Sequence, residues 1–242
     1  MNIENLKEIR GIIEFIFKCF SQISSGTDVA VGISLGVPIG FFFFISLFFL
    51  YTYLKYKRDY PFMILHNKVN IVIEDNLGKK AHYTKEQIAK PNWKGITRYI
   101  EHSIYATGET ANFKTSIGKI EEVYCVGEIK HAKINFDKPL KEKPFTRYFE
   151  YDISDSFIDI HNYHLHKITA PEDKFSLEVE FPSTRPPRNP KAFQNIGVAE
   201  IEEKDPEIIP LPEGKTIIRW EKKRHLLYPL QIGTIFKIEW DW

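Results

Sequence analysis

The stretch HNYHLH places His161, His164 and His166 within six residues. Side chains of an extended strand alternate between its two faces, so His164 and His166 share one face and His161 takes the other. Two imidazoles side by side are half of a zinc site, which needs a third or fourth ligand. No Asp or Glu is marked by its spacing as that ligand, so no metal is assigned. The expectation is a polar, partly exposed strand. A different chemistry is offered by STRPPRNP, where Arg185 and Arg188 surround two prolines. Prolines hold a loop extended, and two preset guanidiniums can clamp a phosphate or a carboxylate. A second basic cluster lies in EKKRH, with Lys222, Lys223 and Arg224 beside a strand end. If both loops leave the domain at the same end, these five cations form an anion site. They suit acidic lipid headgroups equally well, and two ordinary solvated loops are the alternative.

Signatures of catalysis are missing. The chain has no G-x-S-x-G, no P-loop, no G-x-G-x-x-G after a strand and no H-E-x-x-H. Its two cysteines, Cys19 and Cys125, form no Cys-x-x-Cys pair and no disulfide framework, which fits a reducing compartment. Cys125, inside VYCV, is expected to serve packing. No catalytic residue and no cofactor are assigned. Charged residues make up 27% of the 242, with a net charge of only +1. That balance speaks against an extended nucleic-acid surface, which needs a strong basic excess.

The elements that carry these residues are short strands. After Tyr60 the apolar residues recur with period two, as in VNIVIED, TRYFEYDIS, FSLEVEF, KTIIRW and TIFKIEWDW. Roughly nine or ten strands are expected over residues 57–242. YTKEQIAKPNW breaks the pattern and is expected to be a short helix or loop ended by Pro91. Strands without intervening helices predict an antiparallel β-sandwich or β-barrel. Trp220, Phe236, Ile238 and Trp240 are expected in its core.

The beginning of the chain differs. Val29 to Leu54 contains no charged residue, and 26 helical residues extend about 39 Å, more than the ~30 Å hydrocarbon core of a bilayer. Residues 28–56 are therefore expected to be a retained transmembrane helix. Lys55, Lys57, Arg58 and Lys68 follow it, and the excess of positive charge on that side directs the large domain to the cytoplasm. Gly32, Gly36 and Gly40 share one helix face, on which two backbones can approach, so self-association into a homo-oligomer is expected. Residues 1–27 have helical periodicity. They are expected to form either an interfacial amphipathic helix or a second membrane helix.

This layout, with N-terminal membrane helices, a β-rich cytosolic domain and no enzyme motif, resembles the membrane-acting effectors of bacterial antiphage systems based on cyclic-oligonucleotide signalling. The resemblance is one of architecture and carries no binding residue over. It implies a membrane-anchored, non-enzymatic effector in the bacterial inner membrane. In such a protein the β-rich domain binds a nucleotide signal or a protein partner, and the helices assemble in membrane lipid to disrupt it. A membrane-tethered adaptor that docks a cytosolic enzyme is the alternative, and a metal enzyme using His164 and His166 is a third.

Overall fold

A computed structural model describes Tyr60 and residues 62–92, 99–127, 129–138, 140, 143–196, 198–224, 230 and 232–242, with isolated positions between Gly40 and Leu54. Contacts divide the chain after Tyr56, and Lys57–Trp242 is one compact unit. It is mainly β. Its strands are β1 (Phe62–Ile73), β2 (Lys80–Pro91), β3 (Tyr99–Ile104), β4 (Glu109–Thr115), β5 (Lys119–Val126), β6 (Ile129–Asn135) and β7 (Phe145–Ser154). There follow β8 (His161–Lys167), β9 (Lys174–Phe181), β10 (Arg188–Ile196), β11 (Ala199–Glu202), β12 (Glu207–Pro210), β13 (Thr216–Lys223) and β14 (Ile235–Asp241).

Three sheets result. The largest has seven strands in the order β12-β13-β9-β1-β2-β7-β4, the second has β11-β10-β14-β8, and the third has β3-β6-β5. The first two pack face to face as a β-sandwich, because each presents an alternating apolar face to the other. Phe236, Ile238 and Trp240 point inward from β14 while its alternate residues are only partly buried. Phe236 meets Phe175 of β9 and Trp220 of β13, and Trp240 meets Phe181 of β9, with ring centroids 5.2–5.3 Å apart. The three-stranded sheet sets Ile104, Ala132 and Ile134 into the same core. Its His102 ring lies 4.2 Å from that of Phe149 on β7.

Several expectations need correction. The described residues hold fourteen strands, and the sheets are not purely antiparallel, because β1 runs parallel to β9. The segment expected to be a helix or loop before Pro91 is β2, twelve residues long and central. Its inward positions include Lys85 and Gln87, and these polar residues hide the apolar alternation. STRPPRNP is a loop only in part, since β10 begins at Arg188. Pro190 is tolerated there because the ladder is interrupted between Arg188 and Lys191. Cys125 is exposed rather than packed.

The turn from β1 to β2 is held by Asp75, whose carboxylate accepts the backbone N–H groups of Leu77, Lys79 and Lys80 at 2.6–3.2 Å. Gly78 in this turn has φ +72°, and a Cβ there would lie 1.8 Å from the carbonyl oxygen of Phe157. Only glycine fits.

The apolar run Val29–Leu54 lies largely outside the described residues, as do the amphipathic segment 1–27, Gly32 and Gly36. Gly40 is helical, and a Cβ there would meet nothing within 4 Å. No helix among the described residues is long and apolar enough to cross a membrane.

Candidate functional site: a cavity lined by buried cations

The interior faces of β1, β2 and β7 form rows across the sheet. Reading along the strands, the first row is Ile71, Tyr83 and Tyr151, and the second is Val69, Lys85 and Phe149. The third is Asn67, Gln87 and Arg147, and the fourth is Ile64, Ala89 and Phe145. Polar residues thus occupy the middle of an otherwise apolar face. Lys85 is 7% exposed and Arg147 4% exposed. Both line a cavity of about 650 Å³ bounded by β1, β2 and β7, by β3 and β6, and by the end of β8.

Its charge is unbalanced. Arg147 donates from Nη2 to Gln87 Oε1, while its Nη1 has no hydrogen-bond partner among the described residues. Burial brings the guanidinium down to about 10. Lys85 is lowered to about 8, mainly by burial, with Glu172 opposing the shift and Arg147 adding to it. Glu172, 1% exposed, is the buried carboxylate of the cluster. It accepts Asn67 Nδ2 at 3.0 and 3.1 Å, and the same amide nitrogen is 3.1 Å from His166 Nε2. His166 Nε2 lies 3.8 Å from Glu172 Oε1, beyond hydrogen-bond range. Glu172 thus acts on Lys85, Arg147 has no carboxylate partner among the described residues, and the charged residues that complete the lining, Glu101 and Lys167, are exposed.

The histidines do not add charge. Burial holds His164 down to about 3. It also lowers His102 well below its usual value, with Lys85 and Arg147 next in effect. His166 is lowered by burial and by Lys85, against the pull of Glu172. All three are neutral near pH 7. His166 stacks on Phe175 at 4.3 Å, and His102 Nε2 has no partner among the described residues.

His164 and His166 do share a face of β8, with His161 on the other. That face is buried rather than polar and exposed. Among the described residues no group of three or more His, Cys, Asp or Glu is placed to hold a metal.

The two basic clusters are not brought together. Lys223 pairs with Lys174 and Thr216 with Phe181, so the basic end of β13 sits at the start of β9. Arg185 follows the far end of β9, about 23 Å away at ~3.3 Å per residue. Each cluster has local partners. Arg185 donates to the Asn76 carbonyl at 3.1 Å and lies 4.1 Å from the centre of the Trp242 ring. Arg188 is opposite Asp241. Lys222 meets Glu203 at 2.5 Å and Arg224 meets Asp173 at 3.1 Å, and Lys223 is exposed.

The cations of the cavity are others, Lys85 and Arg147. A signal for Arg147 was present in TRYFEYDIS, where it falls in phase with the inward residues Phe149, Tyr151 and Ile153. Lys85 had no comparable flag.

Fold and site together define a mainly β domain with a cavity lined by two buried cations. No described protein family matches the chain, and no curated protein matches it. Among solved structures, it is similar to an M1 zinc metallopeptidase from Deinococcus radiodurans, with 8% identity and a TM-score of 0.42. A mutant of that enzyme gives 8% and 0.43. The match covers 73% of this chain and 42% of the metallopeptidase chain, so the chain spans less than half the length of these structures. At this distance the likeness carries no argument about chemistry.

Proposed function

We propose that the protein is a non-enzymatic, membrane-tethered sensor whose β domain binds a small anionic molecule in the cavity at Lys85 and Arg147. The observation that carries this reading is the pair of buried cations, Lys85 and Arg147, lining one cavity of about 650 Å³, with Arg147 Nη1 unpartnered among the described residues. Burying a charge without a partner is unfavourable, and such groups cluster at binding sites. The volume lies within the range of small-molecule sites. The tether is residues 28–56, with the domain on the cytoplasmic side of a bacterial inner membrane. Self-association along Gly32, Gly36 and Gly40 couples ligand binding to assembly, and in the effector form of this reading assembly disrupts the membrane. A nucleotide signal, implied by the resemblance to antiphage effectors, is one candidate anion.

Native mass spectrometry of the full chain released from membranes tests the binding. The wild type is expected to carry an anionic small molecule that the Arg147→Met chain loses. A wild type without bound anion, and without thermal stabilisation by a panel of anions, would overturn the reading. Induced expression with dye-permeability measurement tests the effector step, and isoleucine at Gly32, Gly36 and Gly40 is expected to reduce crosslinked oligomers. If the membrane stays sealed with ligand present, the adaptor reading gains. It is favoured by exposed Ile201 on edge strand β11 and exposed Ile208 on edge strand β12, and it predicts a co-purifying protein.

A further inference from the structure

The cavity's polarity is ordered along the strands, and the order specifies more than an anion. Lys85 lies in the row bounded by the closed aromatic pair Tyr83 and Tyr151, whose rings stack at 4.4 Å. Arg147 is in the next row, and the wall beyond it is apolar, formed by Ile64, Ala89 and Phe145, then Phe62. Phe62 and Phe145 meet edge to face at 5.9 Å, and Ile100 faces the same space from β3. From Lys85 to Ala89 the wall extends about 13 Å at ~3.3 Å per residue. A small polar anion would satisfy the cations and leave this wall in water. A neutral apolar molecule would cover the wall and leave Arg147 Nη1 unpaired.

We propose that the cavity takes an amphipathic anion, a carboxylate or phosphate monoester on an alkyl chain, with the head at Lys85 and Arg147 and the chain along Ile64, Phe145 and Phe62. This rests on the anion-binding reading above. The head places its oxygens on the free Nη1 of Arg147 and on the Lys85 ammonium, which are charge-assisted contacts. One anionic head gives Arg147 the counter-charge it lacks among the described residues, and the exposed Glu101 and Lys167 of the lining offset each other. The chain replaces water on the apolar rows, and each buried methylene tightens binding about fourfold. Fatty acids and single-chain phospholipids share this chemistry.

The test uses the full-length chain in amphipol, followed by tryptophan fluorescence during titration and heating. The probes are inorganic phosphate; butyl, hexyl and octyl phosphate; hexanoate and octanoate; octanol; and adenosine monophosphate. Affinity is expected to rise about fifteenfold with each pair of buried methylenes, and octanol is expected to bind at least tenfold more weakly than octyl phosphate. Arg147→Met removes binding of every anion. Phe145→Ser weakens octyl phosphate at least tenfold and leaves inorganic phosphate within twofold. Its half-buried position makes it the safer variant for folding, and an unchanged melting temperature confirms that. Tighter octanoate would point to a fatty acid as the source, and tighter octyl phosphate to a phospholipid. Affinity independent of chain length, or adenosine monophosphate binding more tightly than octyl phosphate, overturns the head-first amphiphile and leaves an anion site. Wild-type chain that binds none of the anions overturns both.

Discussion

Replacing Lys85 by methionine should make the folded domain more stable. In the folded state the ammonium is held at about 8 against its ordinary 10.5, chiefly by burial. Between those values the unfolded chain holds the proton and the folded chain does not. Stability therefore rises with pH from 8 to 10.5, and below 8 the fold bears the full penalty of a buried charge. At about 1.4 kcal/mol per pH unit, that penalty is roughly 3 kcal/mol. Methionine has similar volume and no charge, so Lys85→Met removes the penalty without opening a cavity. In a domain of this size, 1 kcal/mol shifts the melting temperature by about 2–4 °C. The expected gain is thus about 6–12 °C at pH 7, shrinking as the pH approaches 10. Fluorescence of buried Trp220 and Trp240 follows the transition, and scans at pH 7 and pH 10 give the two differences. The same variant should lose anion binding. A Lys85→Met chain that melts lower at pH 7, or whose gain is independent of pH, would refute the view that Lys85 is a charge stored for a ligand.

Other expectations follow from the same geometry. Anion affinity in the wild type should fall as pH rises through about 8, where Lys85 loses its proton, with Arg147 still charged and His102 and His166 already neutral; titrations at pH 7 and 9 read this directly. His164, held near 3 against 6.5, should make the fold less stable as pH drops below 6.5, by about 3 kcal/mol at pH 4. His164→Leu should flatten that limb of the acid-denaturation curve. Gly78→Ala forces a Cβ against the Phe157 carbonyl at positive φ and should lower stability by more than about 1 kcal/mol, measured as a drop in melting temperature. Trp240→Ala, which removes a 1%-exposed ring packed on Phe157 and Phe181, should cost about 3–5 kcal/mol.

How far the fold was legible depended on what its inward positions carry. Where they are apolar, as in β13 and β14, period-two alternation locates the strand and core residues such as Trp220, Phe236, Ile238 and Trp240 together. Where they are polar, as at Lys85 and Gln87 of β2, alternation vanishes and the sequence reads as a helix or loop. The cavity is built from those same positions, so what hid the strand also hid the site. Arg185, Arg188, Lys222, Lys223 and Arg224 were conspicuous because prolines and neighbouring charges mark them. Such features belong to loops and strand ends, where cations find solvent and local carboxylates. The shared face of His164 and His166 was legible from periodicity, but their burial depends on β1 and β2, where Asn67 meets His166 and Tyr83 meets His164 from distant sequence. The parallel pairing of β1 with β9 has no local signal either.

That pairing bears on how the chain is made. β1 lies between β2 and β9, and Asn67 is aligned with Phe175, more than a hundred residues later. During synthesis β1 and β2 can form a hairpin early, but the other edge of β1 stays open until β9 has emerged. The strands that line the cavity, β1, β2, β3, β6, β7 and β8, all precede β9, so they emerge before the sheet behind them is complete. Non-local pairing of this kind slows folding to the millisecond-to-second range. Meanwhile the NIVI run of β1 offers an unpaired apolar edge, the feature from which strand-to-strand aggregation starts. Yield of folded protein should thus respond to slower translation or added chaperone more strongly than its final stability would indicate.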